Sequence, residues 1–137
     1  MNNFENNLEV ENYRQSMSES QAFNAGVISD SLVAKAVDFI KRNAGRQMQV
    51  RDVVDYVAVS RREIEKRFKK SLNLSILHEI KRTRVQLIAK MLLQTSDSVS
   101  EIASKLCFTD VAHFARYFKD VEGISPLEYR KKYLCTV

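Results

Sequence analysis

The sequence predicts an all-α fold: two helix-turn-helix subdomains joined by a long linker helix, about seven helices in all. Three observations predict it. Apolar residues make up 45% of the chain while Gly occurs 3 times and Pro once, so helices can run uninterrupted. From Asp30 onward those apolar residues recur at helical spacing. Finally, the chain repeats itself. The stretch EKRFKKSLNLS, ending at Ser75, returns as ARYFKDVEGIS, ending at Ser125, with Phe68 on Phe118, Lys69 on Lys119, Leu74 on Ile124 and Ser75 on Ser125. A single fixed offset across the segment marks an internal duplication.

Residues 1–28 are rich in Asn, Ser, Glu and Gln without a sustained period and read as a polar arm or linker. A first helix begins after Asp30, carries Leu32, Val33, Ala36, Val37, Phe39 and Ile40 on one face, and closes at Asn43 to Gly45. Val50, Val53, Val54 and Val57 form a short second helix stopping near Ala58. Ser60 then caps a third, with Glu63 placed to return the bond to the cap; Ile64, Phe68 and Leu72 line its inner face and Asn73 closes it. A short helix, a tight turn and a second amphipathic helix make a helix-turn-helix. This first unit spans 29–74.

The linker helix runs over 75–95, with Ile76, Ile80, Leu87, Ile88, Met91 and Leu92 at core spacing. It reaches roughly 30 Å at 1.5 Å per residue. The second unit, 96–137, repeats the plan. Ser98 and Glu101 form a second capping box, and Ile102, Ala103 and Leu106 face inward. Phe114, Phe118 and Val121 make the apolar stripe of the next helix, and Gly123 ends it. Ser125, Pro126 and Glu128 start a last helix that is expected to pack Leu127 and Tyr129 back onto the unit. Residues 29–137 are thereby expected to be one domain, because a unit of about 50 residues buries too little surface to stand alone.

Charge is unevenly spread. The chain carries a net +5, but residues 1–29 hold one base, Arg14, against Glu5, Glu9, Glu11 and Glu19, leaving +8 on the remainder. A basic folded body suits a polyanion such as nucleic acid. Cys107 and Cys135 offer neither a disulfide framework nor metal-ligand spacing. The opening MNNFENNLEV lacks the basic start and apolar run of a signal peptide, and no apolar stretch approaches the roughly 18 residues of a membrane span. A cytoplasmic, nucleoid-associated setting is expected, with no membrane partner and no cofactor.

Two helix-turn-helix units on a rigid helix in a basic chain suggest entry into two neighbouring major grooves, which lie about 34 Å apart on one face of a duplex. The segments SRREIEKRFKKSLNLSILHEIK and SVSEIASKLCFTDVAHFARYFKDVEGISPLEYRKKY resemble the AraC/XylS family of bacterial transcription regulators over residues 30–134. Phe114, Arg116, Phe118, Lys119, Gly123, Ser125, Pro126, Tyr129 and Arg130 match its FxRxFKxxxGxSPxxYR signature. Within the family the chain looks most like activators of the xylose-operon type. Two positions depart from the family pattern: Cys107 precedes Phe108 where Gly is usual, and Asn73 replaces a Gly. Asn tolerates the left-handed conformation. At Cys107 a small buried residue serves where the backbone angle permits.

With Ile64 and Phe68 facing the core, Arg61, Arg62, Glu65, Lys66 and Lys69 face out. The resemblance implies that Arg62, Glu65 and Lys66 look toward bases: Arg or Lys pairs with guanine, and Glu accepts from cytosine. The plainer alternative is a solvated face with Glu65 pairing Lys69. On the second recognition helix Asp110, Val111, Ala112, His113 and Arg116 stand outward. Val111 and Ala112 can touch thymine methyls and Arg116 can reach guanine or a phosphate, so the second half-site is expected to be read more loosely. His113 has no second ligand or nucleophile beside it to make it a metal ligand or catalytic base, and His78 reads as a helix-surface residue. Lys69, Lys70 and Lys119, with the amides at the capped starts near Ser60, Ser98 and Ser125, are candidate phosphate contacts. Arg82, Arg84, Lys90, Lys105, Lys131 and Lys132 add positive charge.

The resemblance implies a transcription regulator of double-stranded DNA, an activator that touches RNA polymerase, with a separate or truncated effector-binding domain elsewhere. A helical module docking an acidic protein partner is the alternative from another class. It leaves the repeated outward basic helix without a reason. An enzyme is not expected, since no Gly-rich phosphate loop, metal-spaced His/Cys set or nucleophile with a base is found.

Overall fold

In the computed structural model the chain is described over residues 28–134. The arm expected over 1–28 lies outside these residues but for Ile28, as does Cys135. Among the described residues seven helices follow one another: α1 (Ser31–Arg42), α2 (Val50–Val57), α3 (Arg61–Leu72), α4 (Ile76–Gln94), α5 (Val99–Lys105), α6 (Val111–Glu122) and α7 (Pro126–Leu134).

Each boundary has a local cause. Asp30 accepts from the Leu32 and Val33 amides at 3.0 and 3.3 Å, starting α1. Ser60 accepts from the Glu63 amide at 3.1 Å, starting α3. Ser75 does the same for α4 and Ser98 for α5, each at 3.1 Å. Such a cap is worth about 1 kcal/mol. The return bonds expected of the glutamates are absent from two of these starts. Glu63 turns instead to Arg67, 2.9 Å from its Nε, and Glu101 meets the Ser98 hydroxyl at 3.2 Å. A capping box does form at α2, where the Gln49 amide donates to Asp52 at 2.8 Å.

Two apolar clusters hold the helices. Val33, Val37, Ile40, Val53, Val57, Ile64 and Phe68 form one among α1, α2 and α3. Ile102, Leu106, Phe114 and Phe118 form the other in the second unit. Helix α4 serves both: Ile76 and Ile80 belong to the first cluster, Leu87, Ile88, Met91 and Leu92 to the second. At 19 residues it is about 28 Å long. Ala44, in the turn after α1, is buried in the second cluster.

Two expected core residues lie elsewhere. Val121 is 38% exposed and Leu127 52% exposed. Helix α7 is seated by Tyr129, as expected, and by Arg130: the Tyr129 ring meets Phe118 edge-on at 5.2 Å. Arg130 donates from Nε to the Leu92 carbonyl at 2.8 Å and from Nη2 to the Thr95 carbonyl at 3.3 Å. These are carbonyls at the end of α4 that the helix itself cannot satisfy. A cation there suits the helix dipole as well.

Candidate nucleic-acid interface

The duplication in the sequence is a duplication of roles. Buried Ile64 and Phe68 in α3 answer to buried Phe114 and Phe118 in α6. Ser60 caps α3 and Asp110 caps α6, the latter accepting from the His113 amide at 2.6 Å. Asn73 ends α3 at φ 58° and Gly123 ends α6 at φ 83°, both left-handed. Ser75 and Ser125 then each cap the following helix. With the inner edge of each helix held in the same way, the same outer edge is left to solvent.

On α3, Arg61, Arg62, Lys66, Lys69 and Lys70 are exposed, a mainly cationic flank that begins at the Ser60 cap and is interrupted by Glu65. Glu65 is half-buried, and its carboxylate accepts from the Ile76 amide at 3.4 Å, at the first turn of α4. On α6, Val111, Ala112, His113, Arg116 and Lys119 are exposed. Asp110 spends its carboxylate on the cap. The second flank is therefore smaller and more apolar at its start, with its positive charge one turn further along. Neither flank is covered by other described parts of the chain.

His113 lies beside the Phe108 ring, 5.5 Å between centroids. Among the described residues no set of three or more His, Cys, Asp or Glu converges as a metal site. His78 is exposed on α4.

Several cations are engaged within the fold and so withheld from phosphates. Lys105 donates to Asp97 at 2.6 Å with its side chain largely enclosed, and Arg82 pairs with the buried Glu79 at 3.0 Å. Arg84 is 5% exposed. Ser98 caps α5. Lys131 and Lys132 remain at the surface.

The structure also contains features that local pattern did not reveal. Ala58 at φ 59° and Cys107 at φ 66° both adopt the left-handed conformation at the turn of their unit. The φ at Cys107 explains why Gly is favoured before Phe108, but Cys107 is exposed and not the buried small residue expected. The second turn is one residue longer, since Ala58 stands two positions before the cap Ser60 and Cys107 three before Asp110. Lys41, Glu79 and Arg84 are buried charges. Burial pushes the Lys41 ammonium below the usual lysine range, against the pull of Glu79, and burial likewise lowers Arg84 while Tyr117 opposes the shift. Among the described residues no helix is long and apolar enough to cross a membrane.

Two helix-turn-helix units with open second helices, mounted on one shared helix, define a double helix-turn-helix DNA-binding domain. Comparison with known proteins agrees. A family model described as a helix-turn-helix domain matches residues 53–132. The xylose operon regulatory protein of Haemophilus influenzae is 29% identical over 103 residues, covering 75% of this chain and 27% of the relative. The structure of the xylose-binding transcription activator xylR superposes with a TM-score of 0.68 at 29% identity, over 75% of this chain and 27% of that one. The DNA-binding domain of AdpA, a global transcriptional factor in complex with a target DNA, gives 0.70 at 23% identity, over 78% and 96% of the two chains, and shares the fold. The chain belongs to the AraC/XylS family of helix-turn-helix transcription regulators and carries its DNA-binding domain. It spans about a quarter of the length of the xylose operon regulators it matches.

Proposed function

We propose that this chain binds specific double-stranded DNA sequences as the reading head of a transcription activator, with α3 and α6 entering successive major grooves. The observation that carries it is the paired role of the two helices: each is held by two buried side chains, capped at its start, closed by a left-handed residue, and leaves its polar flank in solvent. Base contacts fall to Arg61, Arg62 and Lys66 on α3 and to Val111, Ala112, His113 and Arg116 on α6, by direct readout of donors, acceptors and thymine methyls. Glu65 joins them where its carboxylate leaves the Ile76 amide for a cytosine amine. Phosphates are met by Lys69, Lys70 and Lys119 and by the amides at the Ser60 and Ser98 caps. The likeness to xylose operon regulators supports a regulatory role, and RNA polymerase and a separate effector-binding domain are proposed as its further partners, in the bacterial cytoplasm at the nucleoid.

Mobility shifts of genomic fragments with the full chain test this. A subset of fragments is expected to be retained over random duplex at physiological salt. Uniform retention, or none, would remove the sequence-specific assignment.

A further inference from the structure

We propose that Arg84 is a positioning residue that sets the spacing between the two DNA half-sites, by locking the second helix-turn-helix unit against the loop that ends α1. The inference rests on the paired-groove function above and adds to it the residue that determines which site spacing is accepted.

Arg84 lies in the middle of α4, where that helix passes from one apolar cluster to the other. Its Nε donates to the Ala44 carbonyl at 3.0 Å, and its Nη2 donates to the Leu106 carbonyl. Ala44 follows α1 in the first unit, and Leu106 is the residue that ends α5 in the second. One planar group therefore joins backbone from both units. Its guanidinium also sits 4.6 Å from the centre of the Phe108 ring and 5.7 Å from that of Tyr117. Phe108 in turn packs edge-on to Phe114 at 5.1 Å and leans on His113 at 5.5 Å, both on the second recognition helix. Tyr117 belongs to the same helix. The chain of contact runs from the end of α1, through Arg84, to the rings that seat α6.

A second tie crosses the same joint. Gln47 donates from Nε2 to the Cys107 carbonyl at 2.9 Å, across 60 residues of sequence. The loop after α1 thus grips two consecutive carbonyls of the second unit's turn, one through Arg84 and one directly.

Burying a charge is unfavourable unless its donors are met. An apolar side chain of similar volume would fill the space but impose no direction, whereas a guanidinium bonded to two carbonyls holds them at one separation and angle. That constraint has a use in a reader of two grooves. Adding one base pair between half-sites moves the second by about 3.4 Å and turns it by about 35° about the axis. A rigid joint rejects that displacement, and a loose joint absorbs it.

The test uses the full chain and the duplex it selects from a random pool of roughly 30 base pairs, three helical turns. Affinity is measured for that duplex and for versions with one base pair inserted or deleted between the halves. The wild-type chain is expected to lose on the order of 10-fold or more on either change, the equivalent of losing one good base contact. Arg84→Lys, which keeps a charge but not the planar fork, is expected to lose no more than about 3-fold. Gln47→Ala, at an exposed position, is expected to shift the ratio the same way by less, and decides the matter if Arg84→Lys does not melt cooperatively. Folded variants that keep the wild-type ratio overturn the proposal, as does a loss of affinity equal at all spacings, which marks a residue that only stabilises. Failure of the wild-type chain to select any duplex would instead remove the function on which the proposal rests.

Discussion

Arg62 and Lys119 are both exposed cations on recognition helices, yet they are expected to act differently. Arg62 stands in the first turn of α3, beside the capped start, where a major-groove helix meets base edges. Lys119 stands in the last turn of α6, where a major-groove helix would leave the base edges and near the phosphate backbone. Arg62→Ala is expected to relax preference at one base pair, worth about 1–3 kcal/mol, while Lys119→Ala weakens binding to all sequences alike and lowers the salt slope by about one. Site selection from random duplex with each variant distinguishes the two. Preference unchanged in Arg62→Ala, or relaxed at one position in Lys119→Ala, would overturn the assignment. Val111 and Ala112, apolar and exposed at the matching start of α6, leave less hydrogen-bonding capacity for the second half-site. Residue types on an outer face were legible from the inner pattern of Ile64, Phe68, Phe114 and Phe118, because a helix with its buried stripe known has its outer face determined. The engagement of Glu65 with the Ile76 amide was not legible, since it depends on how α4 departs from α3.

The elements themselves were mostly written in local signals. Ser60, Ser75 and Ser98 start helices, Asn73 and Gly123 end them, and the signature around Phe118 resolves into core, closing, capping and docking residues. The turns were less legible. Ala58 and Cys107 take left-handed angles that residues with a Cβ adopt at a cost of about 1–2 kcal/mol. At Gly123, where φ is also positive, a Cβ would meet nothing within 4 Å, so the need for Gly there is conformational and not steric. Cys107→Gly is expected to stabilise the chain by about 0.5–1 kcal/mol, the relief of strain less the added freedom of the unfolded chain. Because Cys107 is exposed, no buried contact is lost. A higher urea midpoint at unchanged slope would bear this out; a lower one would show that the angle is unstrained. Val121 and Leu127 were misplaced by helical period alone. Each lies at a helix end, beyond the neighbours that would cover it, while Tyr129 and Arg130 do the docking.

For the molecule as a whole, the distribution of charge governs how DNA is held. Beyond residue 29 the chain carries +8, but Arg84, Arg82 and Lys105 are committed internally. The exposed set around Lys69, Lys70, Lys119, Lys131 and Lys132 remains. If about six phosphates are neutralised, the logarithm of affinity falls with that of salt with a slope near −5, or roughly 10³-fold between about 50 and 200 mM. Binding titrations over that range check it, and a flat profile would exclude the cationic flanks as the site of contact.

Taken alone, the sequence determined that there are two alike helical units, where their helices start and stop, and which flank of each recognition helix is turned outward. The starts, stops and outward flanks follow from residues within a few turns of one another, and the likeness of the units from a repeat at fixed offset. Tertiary structure alone decided how the units are joined. Arg84 reads in sequence as one more surface cation on a long helix, yet its partners lie 40 and 22 residues away, and those of Gln47 lie 60 away. No helical periodicity reaches that far; a charge is enclosed only when the fold brings carbonyls from distant segments around it.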